Sequence, residues 1–404
     1  MKYMRRLFAA TIFIISSLAI YAQQTDSSNN NYNNSAEQLL KTNGKLVIGG
    51  YGEVHYNQPI NSQTFNSGTL DVHRMVMLLG YHFTPKTQFI SEIEYEHVSE
   101  VYIEQAFLQH KLNNYINIRA GLMLIPMGII NEYHEPTTFN GVERPLVDNK
   151  IAPTTWREIG IGLSGNLIQA SLKYQAYVVN GFSGYNGSPT LNGKNGLRNG
   201  RQKGAESYLN SPNFTGKIEY YGIRNLNIGL SGYFGKTQST LYKSIDKTNE
   251  AAISKADSSV TGISMLGVDA RYNLSGIQLR GQFYFTSIAN TEQYNVFTAQ
   301  NAKQNDLGSG MLGYYIEAGY NVLKFSNQTK SELIPFIRFE NFDTHYKISV
   351  ETQKNKAYNN NVITTGVNFK ITKGVVVKAD MQFVKSEAAT EYSKVINAGI
   401  GVMF

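Results

Sequence analysis

Acidic and histidine side chains occur in two groups whose composition would suit a metal ion, because carboxylate oxygens and imidazole nitrogens are common metal ligands. The groups are Glu92, Glu94, Glu96 and His97, and, further along, Glu132, His134 and Glu135. Alternate side chains of one strand lie about 7 Å apart, too far to bind one ion unless a partner strand contributes a ligand. The spacing therefore favours paired charges, and we expect neither a metal site nor a cofactor.

Patterns typical of enzymes are missing from the sequence. The chain has no cysteine, which excludes disulfides, thiolate metal sites and cysteine nucleophiles. Its serine and histidine residues do not form a recognisable set for nucleophilic catalysis. The glycine-rich segment Asn192–Gly204 carries four cations, but no predicted strand enters it and no predicted helix leaves it, so a nucleotide site is rejected. We interpret this segment as a solvated loop that could contact lipopolysaccharide phosphates, and we expect no enzymatic activity.

The composition narrows the class of protein. The 404 residues include 37 Lys and Arg against 30 Asp and Glu, a small and dispersed positive excess that does not predict nucleic-acid binding. Charged residues make up only 17%, whereas 27 Tyr and 20 Phe raise the aromatic share to 12%. A mean hydropathy of −0.29 excludes a helical membrane protein. A large all-β protein remains.

The N-terminus has the features of a secretion signal. Lys2, Arg5 and Arg6 precede the apolar run Leu7–Ile20, and a small residue follows at Ala22. This run is shorter than the roughly 20 residues that a membrane-spanning helix needs. The pattern indicates a cleaved signal peptide and therefore an exported protein.

Three segments follow from this pattern. Residues 1–22 are the signal peptide, and residues 23–45 are an Asn/Ser/Gln-rich tail that is too polar to bury a core. Residues 46–404 carry the repeated strand pattern and form the folded part.

The folded part alternates between apolar and polar residues with a period of two, which is typical of strands. In segment 276–286, one face carries Ile277, Leu279, Gly281, Phe283 and Phe285, and the other carries Gln278, Arg280, Gln282, Tyr284 and Thr286. Two early strands, Leu70–Phe83 and Val101–Leu112, mix the two faces. Alternation alone does not show which face points inward, so a soluble secreted β-protein stays open as an alternative.

Short and long connections alternate along the chain, and aromatic residues cluster near strand ends. In hydrocarbon every backbone polar group must be paired, so a sheet can span a membrane only if it closes. The pattern predicts a transmembrane antiparallel up-and-down β-barrel of about 16 strands, with apolar side chains toward lipid and polar ones toward a water-filled interior.

Several motifs resemble the phosphate-selective porin O and P family of Gram-negative outer-membrane porins. They are Gly49–Gly52, Phe89–His97, Arg119–Gly128, Pro136–Asn140, Pro153–Gly162 and the terminal Phe404. The resemblance implies an outer-membrane diffusion channel for small hydrophilic or anionic solutes such as phosphate, surrounded by lipid and lipopolysaccharide and assembled as a homotrimer. It also implies that the third long loop, Ile125–Arg157, folds inward, and that Phe404 is the signal read by the barrel-assembly machinery.

The charged residues suggest where such a channel would be narrowest. We expect the constriction to be set by Arg119, Arg144, Arg157, Glu132 and Glu143, and further lumen cations to be Arg74, Lys173, Arg271, Arg280 and Arg338. Acidic residues share the same faces, which argues against a track dedicated to anions. Two other functions stay open: a structural or adhesive barrel that binds ligands through its long loops, and an outer-membrane enzyme.

Overall fold

The computed structural model describes residues 34–42, 44–60, 64–301, 303–326 and 329–404. The predicted signal peptide, residues 1–22, lies outside the described residues. So does most of the predicted polar tail.

The described residues form eighteen strands. They are β1 (Leu46–Ile60), β2 (Thr69–Thr84), β3 (Thr87–Glu96), β4 (Glu100–Lys111), β5 (Asn117–Leu124), β6 (Arg157–Leu167), β7 (Leu172–Val179), β8 (Ser183–Tyr185), β9 (Asn213–Tyr220), β10 (Leu226–Lys236), β11 (Gln238–Ser239), β12 (Gly262–Leu274), β13 (Ile277–Ala289), β14 (Gly310–Tyr320), β15 (Glu332–Lys347), β16 (Asn359–Thr372), β17 (Val375–Ser386) and β18 (Ser393–Met403).

Helices are short and lie between strands or before the first one. The α-helices are α1 (Ser35–Lys41), α2 (Val147–Lys150), α3 (Glu250–Ser258) and α4 (Thr291–Phe297), and single 3-10 turns occur at Ile168–Ala170, Arg198–Gly200, Thr240–Tyr242 and Lys356–Tyr358. None of the helices in the described part of the chain has the length and apolar character needed to cross a membrane.

Sixteen strands close into one antiparallel barrel, which confirms the predicted fold. Strands β8 and β11 are outside the barrel and form a separate parallel pair. The barrel closes where β1 pairs with β18, with Tyr51 opposite Met403. Because Leu46 at the start of β1 pairs with Tyr81, both ends of the barrel chain lie at the rim with the short connections.

The apolar face of the strands points outward, as predicted. On β13 the side chains of Ile277, Leu279 and Phe283 are exposed, whereas Gln282 and Tyr284, on either side of Phe283, are buried. The arrangement repeats along the barrel and gives an apolar outer surface around a polar interior. The alternative of a soluble sheet with its apolar face inward is thereby excluded.

Two β-bulges explain why the early strands mix faces. On β2 the pairing with β1 skips His73, so His73 and Arg74 both point toward the interior. On β4 the pairing with β3 skips Glu104, so Glu104 and Gln105 are both buried. A bulge places two residues opposite one and shifts the alternation beyond it by one residue. Each bulge therefore adds one ionisable side chain to the interior.

The last residue completes the barrel seam. The Phe404 amide donates to Gly50 O at 2.9 Å, and the Gly50 amide donates to Phe404 O at 3.0 Å. A Cβ atom at Gly50 would lie 2.8 Å from the Phe404 ring, so this strand position requires glycine. The Phe404 side chain itself is exposed on the outer surface.

The predicted polar tail contains a helix, which departs from the expectation that it buries nothing. Asn34 caps α1 by accepting from the Glu37 amide at 2.9 Å. Ala36 and Leu39 are buried in one cluster with the inward-facing wall residues Val76 and Leu78 of β2. The tail has few apolar residues of its own, and it packs because the barrel wall supplies the apolar partners.

Candidate functional site

The segment between β5 and β6, residues 125–156, contacts inward-facing side chains of strands distributed around the barrel. We call it the β5–β6 segment. Its backbone hydrogen bonds join His134 O to Arg74 of β2, Gly128 O to Lys217 of β9, Ile129 N to Gln282 of β13, Asn140 O to Arg338 of β15 and Val142 N to Asp380 of β17. Five strands thus hold the segment through charged or amide side chains.

Six cations on the barrel wall are paired with carboxylates. We call Arg74, Lys173, Lys217, Arg271, Arg280 and Arg338 the wall cations. Their partners are Glu53 for Arg74, Glu37 and Glu219 for Lys173, Glu132 and Asp269 for Lys217, Glu219 for Arg271, Glu317 for Arg280, and Glu317 and Glu340 for Arg338. Most of these groups are buried, and buried charges are stable only when they are paired and hydrogen-bonded.

Arg338 shows how a wall cation works. Its guanidinium lies 3.2 Å from Glu317 and 2.9 Å from Glu340, and its remaining N–H groups donate to backbone oxygens of Asn140 and Glu143. The side chain is fully buried. One cation therefore pairs with two carboxylates and positions the β5–β6 segment at the same time.

The single tryptophan anchors the end of the β5–β6 segment. The Trp156 ring is fully buried, stacks on Phe182 with centroids 4.3 Å apart and contacts Tyr233 at 4.7 Å. Its indole N–H donates to Glu158 at 3.0 Å. A buried indole with a satisfied N–H fixes the backbone that enters β6.

A buried polar cluster forms around the bulge of β4. Tyr51 donates to Glu92 at 2.7 Å, and the Nε2 atom of His134 lies 3.0 Å from Tyr51 Oη and 3.3 Å from Glu104. Gln105 donates to Glu92 at 2.6 Å. The cluster joins residues of both predicted groups of carboxylates and histidines, and they form internal hydrogen bonds, as expected for paired charges.

A cavity of about 190 Å³ lies between the barrel wall and the loops. Five cations line it, and we call Arg144, Arg157, Arg198, Arg201 and Lys203 the cavity cations. Four acidic residues also line it, namely Glu53, Glu94, Glu96 and Glu143. The cavity is thus bordered by charges of both signs, and we call it the dual-charge cavity.

Most cavity cations lack a carboxylate partner. Among the described residues, no carboxylate oxygen lies within 4.0 Å of the side-chain nitrogens of Arg144, Arg198, Arg201 or Lys203. Arg198 and Arg201 instead donate to the backbone oxygen of Thr154 at 2.8 and 2.6 Å. Burial and the adjacent positive charges of Arg198 and Arg157 lower the pKa of Arg201. A negative charge in the cavity would therefore stabilise the charged guanidinium of Arg201.

The interpretation of Asn192–Gly204 as a solvated loop is wrong. Leu191 and Leu197 are fully buried, and the 3-10 turn Arg198–Gly200 directs its arginine to Thr154. The loop packs because leucines interrupt its glycine-rich sequence. The leucines were visible in the sequence, but they did not indicate that Arg198, Arg201 and Lys203 line the cavity.

The five residues expected at the constriction separate into two sets. Arg144, Arg157 and Glu143 line the cavity. Arg119 and Glu132 do not: Arg119 donates to Gln109 and Tyr177 on the wall, and Glu132 pairs with Lys217. The first set can act on a solute in the cavity, and the second set holds the structure around it.

Solved structures with a similar fold are outer-membrane barrels. OmpF of Salmonella typhi in complex with daunomycin matches with a TM-score of 0.57 and 12% identity, covering 89% of this chain and 97% of that one. The anion-selective porin from Comamonas acidovorans matches with a TM-score of 0.55 and 12% identity over 89% and 99% of the two chains. The trimer form of in-vitro folded OmpT of Vibrio cholerae matches at 0.51 and 8% over 89% and 100%. These similarities support the porin barrel fold.

Sequence comparison adds a relative at higher identity. No family model matches the chain, so the phosphate-selective porin O and P family is not confirmed. A protein of Aquifex aeolicus (strain VF5), described as uncharacterized, is 31% identical over 359 residues, which cover 86% of this chain and 77% of the relative. The chain therefore belongs to the same family as this Aquifex aeolicus protein, and its fold is the barrel of Gram-negative outer-membrane porins.

Proposed function

We propose that the protein is a non-enzymatic outer-membrane porin through which small hydrophilic solutes diffuse passively. The observation that carries this proposal is the apolar outer surface around a charged interior that contains the dual-charge cavity. A membrane barrel with an aqueous, polar interior provides a path for solutes that cannot cross lipid.

The β5–β6 segment is the proposed constriction. Its hydrogen bonds to five strands support an inward-folded loop that narrows the lumen, and its Arg144 and Glu143 border the cavity. Arg157, Arg201 and Glu96 also line the cavity. Charges of opposite sign across a narrow passage create a transverse field, so solutes are sorted by width and by dipole as well as by net charge.

The solute selectivity follows from the balance of unpaired groups. The cavity cations that lack a carboxylate partner favour solutes that carry a negative group, such as phosphate or a carboxylate. The acidic residues of the cavity keep the passage open to neutral and zwitterionic solutes. The Comamonas acidovorans neighbour is described as anion-selective, which agrees with a preference of this kind.

The proposed assembly is a homotrimer in contact with outer-membrane lipid and lipopolysaccharide. The fold similarity to a trimer form of OmpT supports this assembly. We also propose that residues 1–22 direct export and that the exposed Phe404, at the seam between β1 and β18, is the signal read by the barrel-assembly machinery.

Single-channel recording in a planar bilayer tests the channel function. The purified full-length mature protein should give discrete conductance steps, and the same protein after heat unfolding should give none. Electrophoresis with and without heating establishes beforehand that the barrel is folded. A folded barrel that inserts without any conductance would exclude the porin function.

A further inference from the structure

Three potential metal ligands meet at the rim with the long connections. Asp71 and His73 belong to β2, and His97 lies in the turn between β3 and β4. One ligand atom from each residue lies within 4.8 Å of the other two. The Oδ2 atom of Asp71 is 2.7 Å from Nδ1 of His97 and 3.4 Å from Nδ1 of His73.

The fold creates this juxtaposition at two irregular backbone positions. Asp71 and His73 lie two residues apart and share one face of β2, and the bulge at His73 turns this face toward the interior. His97 has a φ of 51° and Val98 a φ of 67°, conformations that are uncommon for residues other than glycine. The His97 amide also donates to His73 O at 3.3 Å. The turn that follows the neighbouring strand β3 thereby supplies the third ligand that a single strand lacks.

The ligand chemistry selects the type of ion. Two imidazoles and one carboxylate suit divalent transition metals such as Zn²⁺, Ni²⁺ and Cu²⁺, whereas Ca²⁺ and Mg²⁺ prefer sites made only of oxygen. We propose that Asp71, His73 and His97 bind one divalent transition-metal ion and leave its remaining coordination positions to water or to a passing solute.

The surroundings support and orient these ligands. The ring of His55 stacks on His73 with centroids 4.5 Å apart, and Glu96 Oε1 lies 3.8 Å from Nε2 of His97. A carboxylate next to the second nitrogen of a metal-bound imidazole fixes the orientation of the ring. His73 and Glu96 also line the dual-charge cavity, so a bound ion would add positive charge at its edge.

Solvent access distinguishes this site from the second group of similar composition. The side chains of Asp71, His73 and His97 are 23%, 27% and 46% exposed, so an ion can reach them. Glu92, Glu104 and His134 also bring ligand atoms close together, but they are buried among their own hydrogen-bond partners. The exposed group at the rim is therefore the better metal site.

Calorimetric titration of the full-length mature protein in detergent with Zn²⁺ tests the proposal. We expect one ion per chain, and we expect His97→Ala to weaken binding by at least roughly tenfold, since even residues that only orient metal ligands contribute that much. His110→Ala is the matched control, because His110 is exposed on β4 and contacts Thr87 outside the cluster. Equal affinities in wild type and His97→Ala would overturn the site, as would the absence of binding.

Electron paramagnetic resonance with Cu²⁺ reports the ligands directly. The wild type should show coupling to two imidazole nitrogens, and His97→Ala and His73→Ala should each show one. His97 lies outside the strands, so its variant remains informative if the bulge variant fails to fold. Unchanged nitrogen coupling in His97→Ala would contradict the proposal. Binding is measured without conduction, so a silent barrel that binds Zn²⁺ would exclude only the porin function.

Discussion

Two sets of cations occupy the interior of the barrel, and they differ in what surrounds them. The wall cations are paired with carboxylates and hold the β5–β6 segment, as Arg338 does with Glu317 and Glu340. Most cavity cations have no carboxylate partner and border open volume, as Arg144 and Arg201 do. The same residue types therefore serve stability in one region and solute contact in the other.

The difference has an energetic basis. A buried charge must be compensated within the protein, so removing one member of a buried pair leaves the other without its partner. A charge beside a water-filled cavity is compensated by solvent, and its loss changes the electrostatic potential in the passage more than the stability of the fold. Substitutions in the two regions should therefore have separable effects.

The largest expected effect is on stability, at Arg338. Arg338→Ala leaves Glu317 and Glu340 without their shared cation and should lower the free energy of unfolding by about 3–5 kcal/mol. Urea unfolding of the barrel in lipid or detergent measures the loss. Lys194→Ala, at an exposed loop position, should change stability by no more than about 0.5 kcal/mol. Similar losses in both variants would contradict the distinction between the two sets.

A smaller effect is expected on ion selectivity, at the cavity cations. Replacing Arg144 and Arg201 together by Gln should shift the reversal potential in a salt gradient toward that of a cation-selective channel. The reason is that each removed charge changes the energy of a permeating ion in a water-filled passage by about 1 kcal/mol. Arg119→Gln is the matched control, because Arg119 contacts Gln109 and Tyr177 instead of the cavity. A shift in the control without a shift in the double variant would reverse the assignment of the two sets.

The smallest effect is expected where α1 meets the wall. Glu37 lies 2.6 Å from Lys173, and Glu37→Gln should weaken the attachment of α1 by about 1 kcal/mol. Hydrogen exchange of the α1 amides should then become roughly fivefold faster. Lys86→Gln, in the exposed turn between β2 and β3, serves as the control at the same rim. Unchanged exchange in Glu37→Gln would show that the ion pair with Lys173 does not hold the helix.

The sequence was sufficient to predict the barrel because closure and lipid contact impose a regular pattern on every strand. The alternation of Ile277–Ala289 follows from backbone pairing and from the contrast between lipid outside and a polar interior inside. Together with the alternating lengths of the connections, it allows each strand to be recognised separately.

The site was less predictable because it depends on contacts between distant segments. Arg119 and Arg144 were both expected at the constriction, yet only Arg144 lines the cavity. The packing of α1 and of the loop that contains Leu197 depends on partners that are distant in the sequence, such as Val76, which lies 37 residues from Leu39 and belongs to the same apolar cluster. Residue type predicted charge in the interior, but it did not predict which charges would find a partner.

The bulge of β2 changes which residues of the strand face the interior. On the C-terminal side of the bulge the even-numbered residues from Arg74 to Gly80 face the interior. On its N-terminal side the odd-numbered residues Asp71 and His73 face the interior. A relative or an engineered barrel that kept all these residues but paired the strand without the bulge would turn the tip of the strand inside out and present Leu70 and Val72 to the lumen. Alignments and transplants of this hairpin should therefore count the extra residue before they compare its chemistry.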